Sequence, residues 1–152
     1  MVIKTSYYGQ LHDIKDKHPD WFLVSISGWI PDEIKAQMDS HNQSLAPSKD
    51  IYDEYESDKD WRKYTKRFKD ERLSKVDFLE KLEQWEEKAN KIGKNIDTIV
   101  LFCYEGIGEF CHRHIVAEAI ENEFKTTVNE YNYENYKKVD YKLQSVSTDF
   151  LF

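Results

Sequence analysis

The sequence predicts an α/β fold, a layered arrangement with a mainly parallel central sheet flanked by helices. Three observations carry that expectation. Strand and helix signals follow one another along the chain, the order that builds a parallel sheet. The run "IDTIVLFCY" (96–104) is almost continuously apolar and of strand length, the pattern of a central strand covered on both faces. Before it, Phe78, Leu82, Trp85 and Ala89 recur at helical spacing and mark a long amphipathic helix.

The elements can be justified in order. "MVIKTSYYG" (1–9) reads as a first strand ending in a loop at Gly9, and "WFLVSISGWI" (21–30) as a second, rich in β-branched and aromatic residues. Pro31 stops the pairing and opens a short helix, "PDEIKAQM", at its first turn. "SHNQSLAP" (40–47) is a turn-rich connection. Ser48 is the expected N-cap of a helix over residues 50–56. Ser57, with Asp60 three residues on, suggests a variant capping box opening "WRKYTKRFKDERL". Ser74 is the N-cap candidate for the long helix, with Leu79 widening its stripe and Gly93 as its stop. After the buried strand, "CHRHIVAEAIENEF" (111–124) sets Ile115, Ala119 and Ile120 on one helical face, and "TTVNEY" (126–131) is a further strand. A Tyr-rich, charged extension, 132–152, closes the chain and is expected to pack on the domain or mediate contacts.

At 152 residues the chain is expected to form a single domain over 1–152, since no internal repeat and no long linker divides it. Charged residues make up 34% and aromatics 14%, which implies a small, ring-rich core under a charged skin. A formal net charge of -7 argues against general nucleic-acid binding, which needs clustered Lys and Arg. Acidic and basic residues alternate, as in "DKDWRKYTKRFKDER" (58–72), which also weakens a reading as a nucleic-acid mimic. No apolar run reaches membrane-spanning length, and the first residues lack a signal peptide's apolar stretch. Two cysteines in that setting predict a cytoplasmic protein with free thiols, and a disulfide between them is disfavoured on grounds of compartment.

The segment "LFCYEGIGEFCHRHIVAEAI" (101–120) gathers the chemistry: both cysteines, two histidines and an arginine. In open parallel sheets, ligands bind outside the carboxyl ends of the strands. That rule sets Cys103, Tyr104 and Glu105 at the mouth of a cleft, with the helix that starts near Cys111 pointing its amide groups the same way. A helix amino terminus attracts anions and favours thiolates. Arg113 adds a planar fork suited to phosphate or carboxylate. Gly106 and Gly108 let the loop bring its backbone close to a ligand. Each residue also has a plain structural reading: Cys103 as a small core residue, Arg113 as a tie for the loop, His112 and His114 as local hydrogen-bonding groups. Cys103, Cys111 and a histidine would supply three soft metal ligands. Their spacing matches no CxxC or HxxxH pair and no fourth ligand is evident, so neither a metal nor a cofactor is assigned. No triad, Walker or dinucleotide motif occurs.

"VLFCYEGIGEFCHRHIVAEAI" (100–120) resembles the hallmark of the domain-of-unknown-function 488 family, in which a strand ends in a Cys-Tyr-Glu-like run and Cys-His-Arg opens the next helix. "KTSYYGQL" (4–11), "LVSISGWIP" (23–31), "LAPSKDIYDEY" (45–55) and "YTKRFKDERLSKVD" (64–77) are similar to further stretches of that family, so the likeness covers residues 3–131. The resemblance implies a compact α/β fold with a site at the strand ends, at Tyr104, Glu105, Cys111, His112 and Arg113, with Tyr7 and Tyr8 from the first strand's exit. It implies no particular activity. Family members often carry an Arg in the second strand, where this chain has Ser27, Gly28 and Trp29. Trp29 offers instead a flat face for a base or another ring.

The expected function is binding of a small anionic, phosphate-bearing or nucleotide-like ligand at that cleft. Arg113, Tyr104, Tyr7, Tyr8, Trp29, Gly106 and Gly108 are the expected contacts. If turnover occurs, Cys111, Glu105 and His112 would supply thiol or carboxylate catalysis. The alternatives are a non-catalytic accessory that sequesters such a ligand, or an acidic interaction module that meets a protein partner or a second copy through "VNEYNYENYKKVDY" (128–141).

Overall fold

A computed structural model describes residues 1–106 and 110–132. The chain folds as an α/β layer structure on a parallel sheet. Strand β1 (Val2–Tyr7) leads through a short 3-10 turn into helix α1 (Leu11–Lys17), then β2 (Phe22–Ser25), α2 (Asp32–Lys35) and β3 (Ser40–His41). Three helices follow, α3 (Lys49–Asp58), α4 (Trp61–Glu71) and α5 (Phe78–Lys91), before β4 (Thr98–Cys103), α6 (His112–Phe124) and β5 (Asn129–Glu130). The strand order is β3-β2-β4-β1-β5, and every neighbouring pair is parallel.

The central strand is β4, as its apolar run requires: all six of its residues are buried. It pairs with β1 on one side, Val2 opposite Thr98 through Tyr7 opposite Cys103, and with β2 on the other. Its register ends Tyr7, Ser25 and Cys103 near one level, so three strands deliver their carboxyl ends to one region.

Crossover direction decides which face each helix covers. The connections β1→β2 and β2→β3 run towards one edge of the sheet, whereas β3→β4 and β4→β5 run towards the other. With right-handed crossovers, the first two must lie on one face and the last two on the opposite face. The core divides accordingly. Leu11 and Ile14 of α1 pack with Leu23, Val100, Phe102 and Tyr131. Ile51, Tyr64, Phe68, Phe78, Trp85, Ile115 and Ile120, from α3 to α6, pack with Phe22, Val24, Ile99 and Leu101. Burying each such large apolar side chain is worth about 1.5–3 kcal/mol against exposure.

Several local expectations need correction. Gly9 does not end the first strand in a loop: a 3-10 turn leads directly into α1, which buries Leu11 and Ile14. The connection after α2 contains β3, two residues long. The long helix is capped not by Ser74, whose hydroxyl donates to the Asp70 carbonyl, but by Asp77, which accepts from the Glu80 amide. Likewise Asp60, not Ser57, caps α4, accepting from the amides of Arg62 and Lys63. Ser48 occupies the N-cap position of α3, but its hydroxyl donates to the Asp50 carboxylate and accepts from no helix amide. Gly108 and the extension beyond Asn132 lie outside the described residues.

Candidate functional site

A cavity of about 1210 Å³ opens beside the carboxyl ends of β2 and β4, on the face covered by α3 and α4. Ser27 and Gly28 border it from beyond β2, Tyr104 and Glu105 from beyond β4, and Cys111 and His112 from the start of α6. The helical side contributes Tyr52, Tyr55 and Tyr64, with Phe110 from the loop before α6. Tyr55 stacks on Phe110, and Tyr64 meets both rings edge-on. This wall is therefore a fixed aromatic cluster.

The mouth differs from the wall. Trp29 is 73% exposed, Tyr52 48% and Tyr104 45%, although all three border the cavity. The hydroxyl of Tyr104 donates to the Trp29 carbonyl at 2.8 Å, which ties the segment after β2 to the one after β4. Among the lining cations, Lys49 pairs with Asp53 at 2.6 Å and Lys59 with Glu56 at 3.2 Å, while Lys59 also sits over the Tyr55 ring. Arg72 reaches the same rim by donating from Nε to the Ala46 carbonyl and from Nη2 to that of Gln43, both at 2.9 Å. With Glu56 and Glu105 also lining it, the cavity is of mixed charge rather than uniformly basic.

Tyr8 lies under Tyr104, its ring meeting that residue edge-on with centroids 4.8 Å apart. Its hydroxyl is shared with Ser25 Oγ at 2.7 Å and Ser27 Oγ at 2.8 Å, and Ser25 Oγ in turn meets His41 Nδ1 at 3.1 Å. Burial raises the Tyr8 pKa, outweighing the two serine hydrogen bonds that oppose it. Burial also lowers the pKa of His41, helped by Lys35. Tyr8 thus supports the floor and does not line the cavity.

His112 is buried, and its Nε2 donates to the Ile26 carbonyl at 2.5 Å. Nδ1 then carries the lone pair, and it faces Cys111 Sγ at 3.9 Å. Burial pulls the pKa of this imidazole down to about 4, with Arg113 adding to the fall and the Ile26 bond opposing it. The ring is neutral at pH 7.

Two expectations are overturned here. Arg113 does not reach the cavity: it is 0% exposed, and its Nε and Nη2 form a bidentate pair with the Glu130 carboxylate, both contacts at 3.0 Å. Its remaining bonds go to the carbonyls of Glu105 (2.5 Å) and Gly106 (3.5 Å) and to Cys103 Sγ (3.1 Å). A buried guanidinium has to be matched by an anion and acceptors nearby, and the Asn129–Glu130 strand supplies the anion. The cysteines, expected to be free, are joined to each other. Compartment reasoning concerns reduction potential; the fold sets the end of β4 against the start of α6 and brings the sulfurs together regardless.

Tyr7 and Gly106 are likewise part of the Arg113 setting and not of the cavity lining. The Tyr7 ring lies 5.7 Å from the guanidinium carbon, and its hydroxyl accepts from Gln10. Of the residues singled out from the sequence, the cavity gathers Trp29, Tyr104, Glu105, Cys111 and His112. Tyr52, Tyr55, Tyr64 and Lys49 carry no signal in the sequence, since nothing in α3 or α4 marks one helical face as facing a cleft; Lys59, Arg72 and Phe110, in the segments outside the helices, carry none either. For metal binding, the donor atoms of Cys103, Cys111 and His112 lie within 4.8 Å of one another, but the sulfur–sulfur bond occupies two of these three donors. Among the described residues, no helix is long and apolar enough to cross a membrane.

The family described as the active DUF488-N3 subclade, DUF488-N3a, matches residues 7–124, most of the chain, and the chain belongs to it. No curated protein and no solved structure matches the chain.

Proposed function

We propose that this member of the DUF488-N3 subclade binds a small, flat, anionic molecule of nucleotide type in the cavity at its strand ends. The observation that carries the reading is the exposed aromatic mouth. Trp29, Tyr52 and Tyr104 keep large ring faces in water around a cavity of about 1210 Å³, larger than the roughly 300–1,000 Å³ of most small-molecule sites and so roomy enough for a nucleotide. A stacked base would cover those faces, at roughly 1–3 kcal/mol per ring contact. Lys49, Lys59 and Arg72 are the cations on the same rim and would meet the phosphate, a role first expected of Arg113.

The test is calorimetric titration and thermal shift with a nucleoside, its monophosphate, its triphosphate and inorganic phosphate. The nucleotides are expected to raise the melting temperature more than phosphate alone does. Trp29→Ala should weaken them about tenfold, the loss of one stacking contact. No response to any of the four would end the proposal.

Turnover in the same cavity is a second reading; it would draw on Cys111, which lines the cavity, once its bond to Cys103 is opened. Glu105 at the mouth would supply a carboxylate. A purely sequestering role would use the same aromatic walls, and an interaction module would use the chain's acidic surface instead.

A further inference from the structure

We propose that Cys103 and Cys111 are a reversible redox couple, opened by small dithiols, and that opening it presents Cys111 to the cavity as a nucleophilic thiol. The two sulfurs are bonded, and they occupy unequal places. Both are buried, Cys111 2% and Cys103 0% exposed, but Cys111 lines the cavity and Cys103, at the end of the central strand, does not. A reductant arriving through the cavity therefore meets Cys111 Sγ first.

The surroundings suit the exchange chemistry. A thiolate of the dithiol attacks Cys111 Sγ, forming a mixed disulfide and breaking the bond to Cys103. The electron pair leaves on Cys103 Sγ, where Arg113 Nη1 already donates at 3.1 Å. Disulfide exchange is faster when the leaving thiolate is stabilised, and a guanidinium in contact provides that stabilisation. The dithiol's second thiolate then attacks its own sulfur in the mixed disulfide and releases Cys111. The dithiol ends as a cyclic disulfide, two electrons have passed to the protein, and the two protons it gave up are available to the two cysteines. The freed Cys111 sits at the N-cap of α6, a 13-residue helix whose amino terminus favours a thiolate. The Nδ1 lone pair of His112 stands beside it. On this account Arg113 is a positioning residue for the sulfur chemistry, held in place by Glu130.

The experiment is alkylation with iodoacetamide followed by mass spectrometry of the native full-length chain, before and after dithiothreitol. Before reduction, the chain should lack the mass of two hydrogens and take up no label. After reduction under native conditions, Cys111 should label at least tenfold faster than Cys103. Cys103→Ser should label at Cys111 with no reductant at all. Three outcomes would each overturn the proposal: both cysteines labelled in protein never exposed to reductant, a bond that opens only in denaturant, or reduced sulfurs protected by stoichiometric zinc until it is chelated. The wild-type measurement stands even if the serine variant does not fold. None of these readouts depends on what the cavity binds.

Discussion

Arg113 shows how one position in the sequence supports two readings of which the fold admits only one. In the first turn of a helix at a strand-end cleft, an arginine reads as an anion clamp. Its actual anion, Glu130, lies seventeen residues further on and is held in turn by the hydroxyl of Thr5 at 2.6 Å. That pairing joins α6 to β5 and β1, a contact that only the folded sheet creates. The pair is also a liability if broken, because a buried charge without its partner is expensive. Glu130→Gln is expected to cost about 3–5 kcal/mol of stability, read as a lower urea midpoint. Replacing both partners with leucine should cost less than the single change, since no uncompensated charge then remains. If the single and double variants unfold at the same urea concentration, the guanidinium is not paying a desolvation penalty and the pair is not what holds this corner together.

At the scale of elements, the sequence was legible wherever periodicity ran long enough to average out local chemistry. The β4 run and the α5 stripe met that condition, and both elements stand where the pattern set them. The seven residues of α1 had too few turns to show a stripe, and Gly9 in front of them read as a break. Two residues of β3 carry no periodicity at all. Caps failed for a different reason: Ser57 and Asp60 both precede α4, and choosing between them depends on where the chain turns. Lys59 settles it by adopting the left-handed conformation, φ 53°, which ends α3 and leaves Asp60 to begin the next helix. Asp60→Ala is therefore expected to lower stability by about 1 kcal/mol while Ser57→Ala changes it little. Urea denaturation of the two variants side by side checks this, and a larger loss for Ser57→Ala than for Asp60→Ala would return the cap to Ser57. The candidate site was half legible on the same logic. Residues at strand ends follow from topology, whereas the wall from α3 and α4 depends on how two helices pack over the sheet.

At the scale of the whole molecule, the crossover pattern sends α3 to α6 over one face and α1 over the other, and it buries His112 between α4 and the end of β2. Its ring meets Phe68 edge-on and its Nε2 is committed to Ile26. This placement couples global stability to pH. The imidazole's pKa is about 4 in the folded chain, against an ordinary value near 6.5. Between those values the unfolded state binds more protons than the folded one, so stability rises with pH. The contribution is fully present above about pH 6.5 and is lost as pH falls towards 4, a change of about 3 kcal/mol for a shift of that size. His41, held low by its own burial, acts in the same direction. The carboxylates held low by hydrogen bonds and ion pairs, Asp13, Asp50, Asp58 and Glu71, lose their contributions at lower pH still, Asp50 near pH 2. Acid unfolding should therefore begin in the histidine window, before most carboxylates protonate. Urea midpoints measured from pH 7 to pH 4 should fall steadily in the wild type and more gently in His112→Gln, which has no proton to gain. Identical slopes in the two chains would mean that the ring takes up its proton inside the folded structure, and that water reaches the floor of the cavity at Ile26.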